Sequence, residues 1–118
     1  METSALVNGR TYYRLTFADP DLTMPGVEAL VFLKQATDEE GTPGFVFQDT
    51  VSFVMHGSGL EGEEQHEDIT MYFMEEEAVR SLYGVEELAL EITATVQRAV
   101  SLNFPTLVPL RDGWKSAP

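Results

Sequence analysis

Strict alternation of apolar and polar residues opens the chain: Tyr13, Leu15 and Phe17 alternate with Tyr12, Arg14 and Thr16, the period of a half-buried strand. The segment DPDLTMPG, residues 19–26, ends that strand with two prolines and a glycine. VEALVFLKQ, from Val27 to Gln35, is apolar on both faces at its middle, as expected of a strand covered on both sides. TDEEGTPG, residues 37–44, reads as a hairpin loop. FVFQDTVSFVMH then predicts a third strand over Phe45 to His56, with Phe45, Phe47, Val51, Phe53 and Met55 on one face. DITMYFM, residues 68–74, predicts a fourth, setting Ile69, Met71 and Phe73 against Thr70, Tyr72 and Met74. Short connections between such strands favour an antiparallel meander.

After Met74 the period changes. EEEAVRSLYG predicts a short helical turn closed by Gly84, with acids early and Arg80 late, as the helix dipole favours. VEELALEITATVQRAVSLN predicts the one long helix, because Val85, Leu88, Ala89, Ile92, Val96, Ala99 and Val100 recur at helical spacing. FPTLVPLRDGW cannot continue it, since Pro105 and Pro109 each remove a helical hydrogen bond. The expected fold is α+β, a single domain over residues 1–118. It is a four-stranded antiparallel meander with one long C-terminal helix packed on one face and an extended C-terminal tail.

That architecture has two apolar sheet faces and one helix to cover them. The helix is expected over Tyr13, Leu15 and Phe17 together with Phe45, Phe47, Val51 and Phe53. The opposite face, with Tyr12, Leu30, Phe32, Val46, Val54, Tyr72 and Met74, is too apolar to leave in water. Candidate covers are the N-terminal segment, the tail, a second subunit or a ligand. The sequence reading takes the second subunit: a homodimer through Leu30, Phe32, Val54, Tyr72 and Met74, with the tail from Phe104 to Trp114 as the rival cover.

Charge narrows the class of partner. Twenty acids face seven bases, a net charge of −13, and eleven of those acids lie between Glu61 and Glu91 with Arg80 the sole base among them. Such a field repels phosphate backbones and anionic membrane surfaces, so nucleic acid and membrane are not expected partners, whereas a basic protein is. Charge of this kind also serves plain solubility. No apolar run approaches a membrane span, and METSALVNGR carries no basic region or apolar core of a signal peptide. Cysteine is absent, which removes disulfides, thiolate metal sites and cysteine nucleophiles. A cytoplasmic location is the default expectation.

Candidate chemistry is sparse. HGSGLEGEEQHED, residues 56–68, holds both histidines and five carboxylates, and a hairpin bringing His56 and His66 together would offer a metal site. The spacing belongs to a glycine-rich loop, with neither a helical His pair nor a calcium-loop pattern, so no metal is expected. Ser58 lacks the glycine two residues before it that a nucleophile elbow requires. Asp49 falls by alternation among buried positions, where a raised pKa would make a general acid or base. A bulge or bend at Gln48, Asp49 and Thr50 that turns it out of the core is the expectation instead. Tyr12, Tyr72, Tyr83 and Trp114 are candidate pocket aromatics. No catalytic residue and no cofactor is assigned.

The functional expectation is a non-catalytic acidic interaction module, such as an adaptor, an immunity- or antitoxin-like neutraliser of a basic protein, or a structural subunit. The alternative is a small-molecule binder or cofactor-free enzyme with a pocket between sheet and helix. A weaker one is a metal-binding protein using the loop at 56–68.

Overall fold

A computed structural model describes residues 1–60 and 68–102. Four strands, β1 (Thr11–Phe17), β2 (Pro25–Thr37), β3 (Pro43–Asp49) and β4 (Met71–Met74), form one antiparallel sheet in the order β1-β2-β3-β4. A helix α1 (Thr50–His56) stands between β3 and β4, and α2 (Glu76–Arg80) and α3 (Val85–Ser101) follow the sheet. A 3-10 turn at Thr3–Ala5 precedes β1. The molecule is thus an α+β meander with a C-terminal helix, as the periodicity predicts. The expected tail, from Phe104 to Trp114, lies outside the described residues.

The hairpins are built by aspartates that substitute for backbone partners. The Asp19 carboxylate accepts from the Thr23 hydroxyl at 2.6 Å and from the amide of Met24 at 2.7 Å, turning the chain from β1 into β2. Asp38 accepts from the amides of Glu40 and Thr42 at 2.9 and 2.8 Å, and Gly41 takes the positive φ of 86° that closes that turn.

Register decides which side chains share a face. Tyr12 stands opposite Leu30, Phe32 opposite Phe47, Phe47 opposite Tyr72, and Phe45 opposite Met74. These residues therefore line one face and form the core, with Leu30 and Phe47 wholly buried and Phe32 and Phe47 rings 5.3 Å apart. Val79 and Leu82, from α2 and the turn after it, close over them, and Met1 and Leu6 pack at the margin. The N-terminal segment is tied down twice. The Val7 amide donates to the Tyr12 hydroxyl at 2.7 Å, and the Met1 ammonium donates to the Arg80 carbonyl at 2.8 Å.

This arrangement corrects the expected dimer patch. Leu30, Phe32 and Met74 are buried in the core with Phe45 and Phe47, not exposed on a face opposite to them, and Tyr72 packs half-buried at the core's edge. Their cover is the N-terminal segment together with α2. The pairing of Phe32 with Phe47 places the phenylalanines of β3 on this side, and the register shift after Phe32 sets Lys34 opposite Val46 on the other. Val54 belongs to neither face: it sits on α1, 83% exposed.

The third strand also ends earlier than alternation predicts. At Asp49 the carboxylate accepts from the Ser52 amide at 2.8 Å and from the Ser52 hydroxyl at 2.7 Å, an N-cap that starts α1. Gly57, with φ of 76°, stops the helix, and its amide donates to the Phe53 carbonyl at 2.9 Å. Gln48, fully buried, binds this segment to the sheet. Its side-chain nitrogen donates to Ser52 Oγ and the Gly57 carbonyl, and its oxygen accepts from the Gly59 amide at 2.8 Å. The second face, carrying Val31 and Gln48, is therefore covered in part by the very residues predicted to prolong β3. The long helix meets the sheet at β1, where the Arg98 guanidinium lies 5.6 Å from the Phe17 ring centre and donates to the Leu22 carbonyl at 3.0 Å.

Candidate interaction surface

The two margins of the sheet differ. At the outer margin of β1, Tyr13 and Tyr83 exchange both backbone hydrogen bonds at 2.9 Å, so the turn after α2 serves as a short extra strand. At β4 no described strand lies beyond. The direction of its free groups follows from one bond: the Asp49 amide donates to the Thr70 carbonyl at 3.2 Å, in the same register as Phe47 opposite Tyr72. Antiparallel ladders alternate bonded and non-bonded pairs, so Thr70, Tyr72 and Met74 turn their backbone groups toward β3. Met71 and Phe73 turn theirs outward.

Beside this margin lies an open groove of about 830 Å³, whose walls are β4 on one side and Glu77, Ala78, Ser81 and Leu82 on the other. Its spacing on the helical side is local chemistry: Glu77, Ala78 and Ser81 project from one side of α2 and its C-terminal turn, and two of the three are small. The Ser81 hydroxyl donates to the Ala78 carbonyl at 2.7 Å, so that wall presents little competing polarity. Glu75, Glu77 and Asp38 give the groove an acidic rim. Among the described residues, the ion pairs are Arg14 with Glu28 and Arg80 with Glu76, which leaves Glu75 and Glu77 outside them.

One end of the groove is closed by a polar cluster that spans the sheet. Arg14 pairs with Glu28 directly across the β1–β2 ladder, and the Tyr72 hydroxyl donates to the other Glu28 oxygen at 2.9 Å. The Arg14 guanidinium also stands 4.9 Å from the centre of the Tyr72 ring. The hydrogen bond to Glu28, with burial, pushes the Tyr72 phenol above its ordinary value, so it keeps its proton and donates it. Each member is used by another, and the arrangement ties the first strand to the last.

Two further apolar surfaces stand outside the core. On α1, Val51, Val54 and Met55 point outward at i, i+3 and i+4. On α3 only Thr95 and Ala99 are buried, while Val85, Val96 and Val100 are exposed along a neighbouring stripe.

The sequence-derived candidates distribute as follows. Asp49 is not a buried acid. Although burial pushes its carboxyl up, the amide and hydroxyl of Ser52 outweigh it and hold the group below the usual carboxylate value. It lies where the chain bends out of β3 into α1, and its carboxylate caps that helix. His56 ends α1, half-buried, and Ser58 Oγ accepts from the Leu60 amide at 3.2 Å. His66 and its neighbouring glutamates lie outside the described residues, and among the described ones no group of three metal-capable side chains assembles. Tyr12 is core, Tyr83 closes the β1 margin, and Trp114 lies outside the described residues. The groove residues Met71, Phe73, Ala78 and Ser81 carried no motif. Their one advance signal was topological, since an open four-stranded meander must leave its last strand at a margin. No described helix is long and apolar enough to cross a membrane. Comparison with protein-family models, with curated proteins and with solved structures finds no match.

Proposed function

We propose that the protein is a non-catalytic interaction module that binds a basic protein partner. The observation that carries this reading is the groove between β4 and α2, lined by Met71, Tyr72, Phe73 and Met74, with Glu75, Glu77 and Asp38 at its rim and beside a sheet margin that no described strand pairs. The opposed reading, a small-molecule enzyme, needs a titratable group poised in a closed pocket. Here the groove is open, Asp49 is committed to Ser52, and Tyr72 and Glu28 are committed to one another. Capture from cell lysate tests the proposal. Wild-type protein is expected to retain a discrete basic partner at low salt and release it at high salt. A variant carrying Glu75→Lys and Glu77→Lys should retain none of it. Thermal stabilisation by a metabolite, with no retained protein that the variant loses, would favour the enzyme instead.

Self-association is a second reading, and its basis has moved. Leu30, Phe32 and Met74 of the expected patch are buried, but the exposed stripe of Val85, Val96 and Val100 on α3 offers a contact to a second copy. Light scattering on wild type and Val96→Glu tests it: a dimer in the first and a monomer in the second supports α3 as the contact.

A further inference from the structure

We propose that the partner enters as a fifth strand: an extended segment pairs with the outer margin of β4, alternating apolar residues with basic ones. This rests on the interaction reading above and adds the manner of binding.

The outward groups of Met71 and Phe73 supply two donors and two acceptors in a row, the ladder pattern an added strand completes. Side chains of that strand would alternate between two environments. Those of one parity would enter the groove beside Tyr72 and Met74, where Ala78 and Ser81 leave room. Those of the other would lie beside Met71 and Phe73, both partly exposed. Phe73 is already set as a platform: its ring lies over Gly44 of β3, where a Cβ would collide with it.

Charge selects the occupant. A second copy of this chain fits the margin poorly. A two-fold antiparallel pair centred on Tyr72 sets Met71 against Phe73 of the other copy, and brings the acids that flank β4, Asp68 before it and Glu75 to Glu77 after it, toward those of the other copy. That like-charge approach occurs at both ends of the pair by symmetry, between chains of net charge −13. A segment with lysines or arginines reverses each of those contacts. At the β1 margin Tyr83 already pairs with Tyr13, which interrupts the edge an added strand would use.

The test uses a blocked alternating Lys-Val peptide of about six residues, the ordinary length of a strand. A second peptide of the same sequence carries N-methyl groups on its backbone amides, which keeps the charge and removes the donors. At low salt the first peptide is expected to bind and to slow hydrogen exchange at the Met71 and Phe73 amides. The methylated peptide should bind at least about tenfold more weakly, the loss expected for two hydrogen bonds. On the protein side Met71→Pro should weaken the first peptide similarly while leaving the far-ultraviolet circular dichroism unchanged. Equal binding of both peptides means charge attraction only and overturns strand addition. Protection on α1 or α3 in place of β4 overturns it too, as does absence of binding by the unmethylated peptide. If that peptide fails while lysate capture still yields a partner lost on charge reversal, the interaction reading survives and strand addition alone falls.

Discussion

The two margins of this sheet face the same physical problem and meet it differently. Each presents a row of backbone donors and acceptors that water or another chain must satisfy. At β1 the chain returns to satisfy the groups of Tyr13 at its middle, because Leu82 is buried in the core and brings Tyr83 alongside. At β4 the next residues, Glu75 to Glu77, turn directly into α2, and Val79 anchors that helix over the core. The helix then stands beside the margin without pairing to it. One margin is thereby part of the fold, and the other borders a groove. The difference shows that an open margin need not be an unfinished one. Acids flank β4 on both sides, Asp68 before it and Glu75 to Glu77 after it, and like charges set opposite one another across a strand pair are destabilising.

Proline substitution along β4 should break this comparison most strongly. Tyr72→Pro removes an amide directed at Phe47 and also the hydroxyl that binds Glu28, and should cost about 3 kcal/mol or more, read as a fall in denaturation midpoint. At the opposite margin, Tyr83→Pro deletes the amide that donates to the Tyr13 carbonyl at 2.9 Å. Its expected cost is about 1–2 kcal/mol, with new self-association by light scattering as the β1 margin opens.

Asp49 sharpens the comparison where β3 hands over to α1, since its amide is the rung that aligns Thr70 ahead of β4. Asp49→Ala should cost about 1 kcal/mol, and Asp49→Asn only a few tenths, because asparagine caps helices as well. The lowered carboxyl also sets a direction with pH. Its contribution is fully present above the usual carboxylate value and is lost as pH falls through the lowered one, a dependence that Asp49→Asn should remove from an acid denaturation curve.

Met71→Pro should have the smallest effect on stability, under about 1 kcal/mol, because its amide points away from β3 and proline is tolerated at such positions. Equal losses for Met71→Pro and Tyr72→Pro would mean that the two sides of β4 are not distinct. The comparison between margins would then fail.

Much of the fold was legible because its signals are local. The alternation of Tyr12 to Phe17, the proline and glycine punctuation before β2 and β3, and the helical period of 85–101 each reflect a few consecutive residues. The misreading at 45–56 came from the same strength. Phe45, Phe47, Val51, Phe53 and Met55 keep a period of two, yet Val51, Val54 and Met55 satisfy i, i+3 and i+4 equally well. Asp49 with Ser52 three residues on was the deciding signal. That spacing is the mark of a helix cap, and it competes with the period of two that sets Asp49 among buried positions.

The sequence by itself determined that the protein is an acidic α+β meander without cysteine chemistry, because composition and short-range periodicity depend on no distant contact. Tertiary structure alone decided which apolar residues are core and which are surface. Leu30, Phe32 and Met74 are buried, and Val54 is bare, through the register of the two hairpins and one capped turn, and a slip of one residue would exchange the faces. The same holds for the two margins. Nothing local to Tyr83 or to Met71 says which will find a backbone partner, because that depends on where α2 packs, and α2 is placed by Val79 and Leu82 entering a core assembled from all four strands.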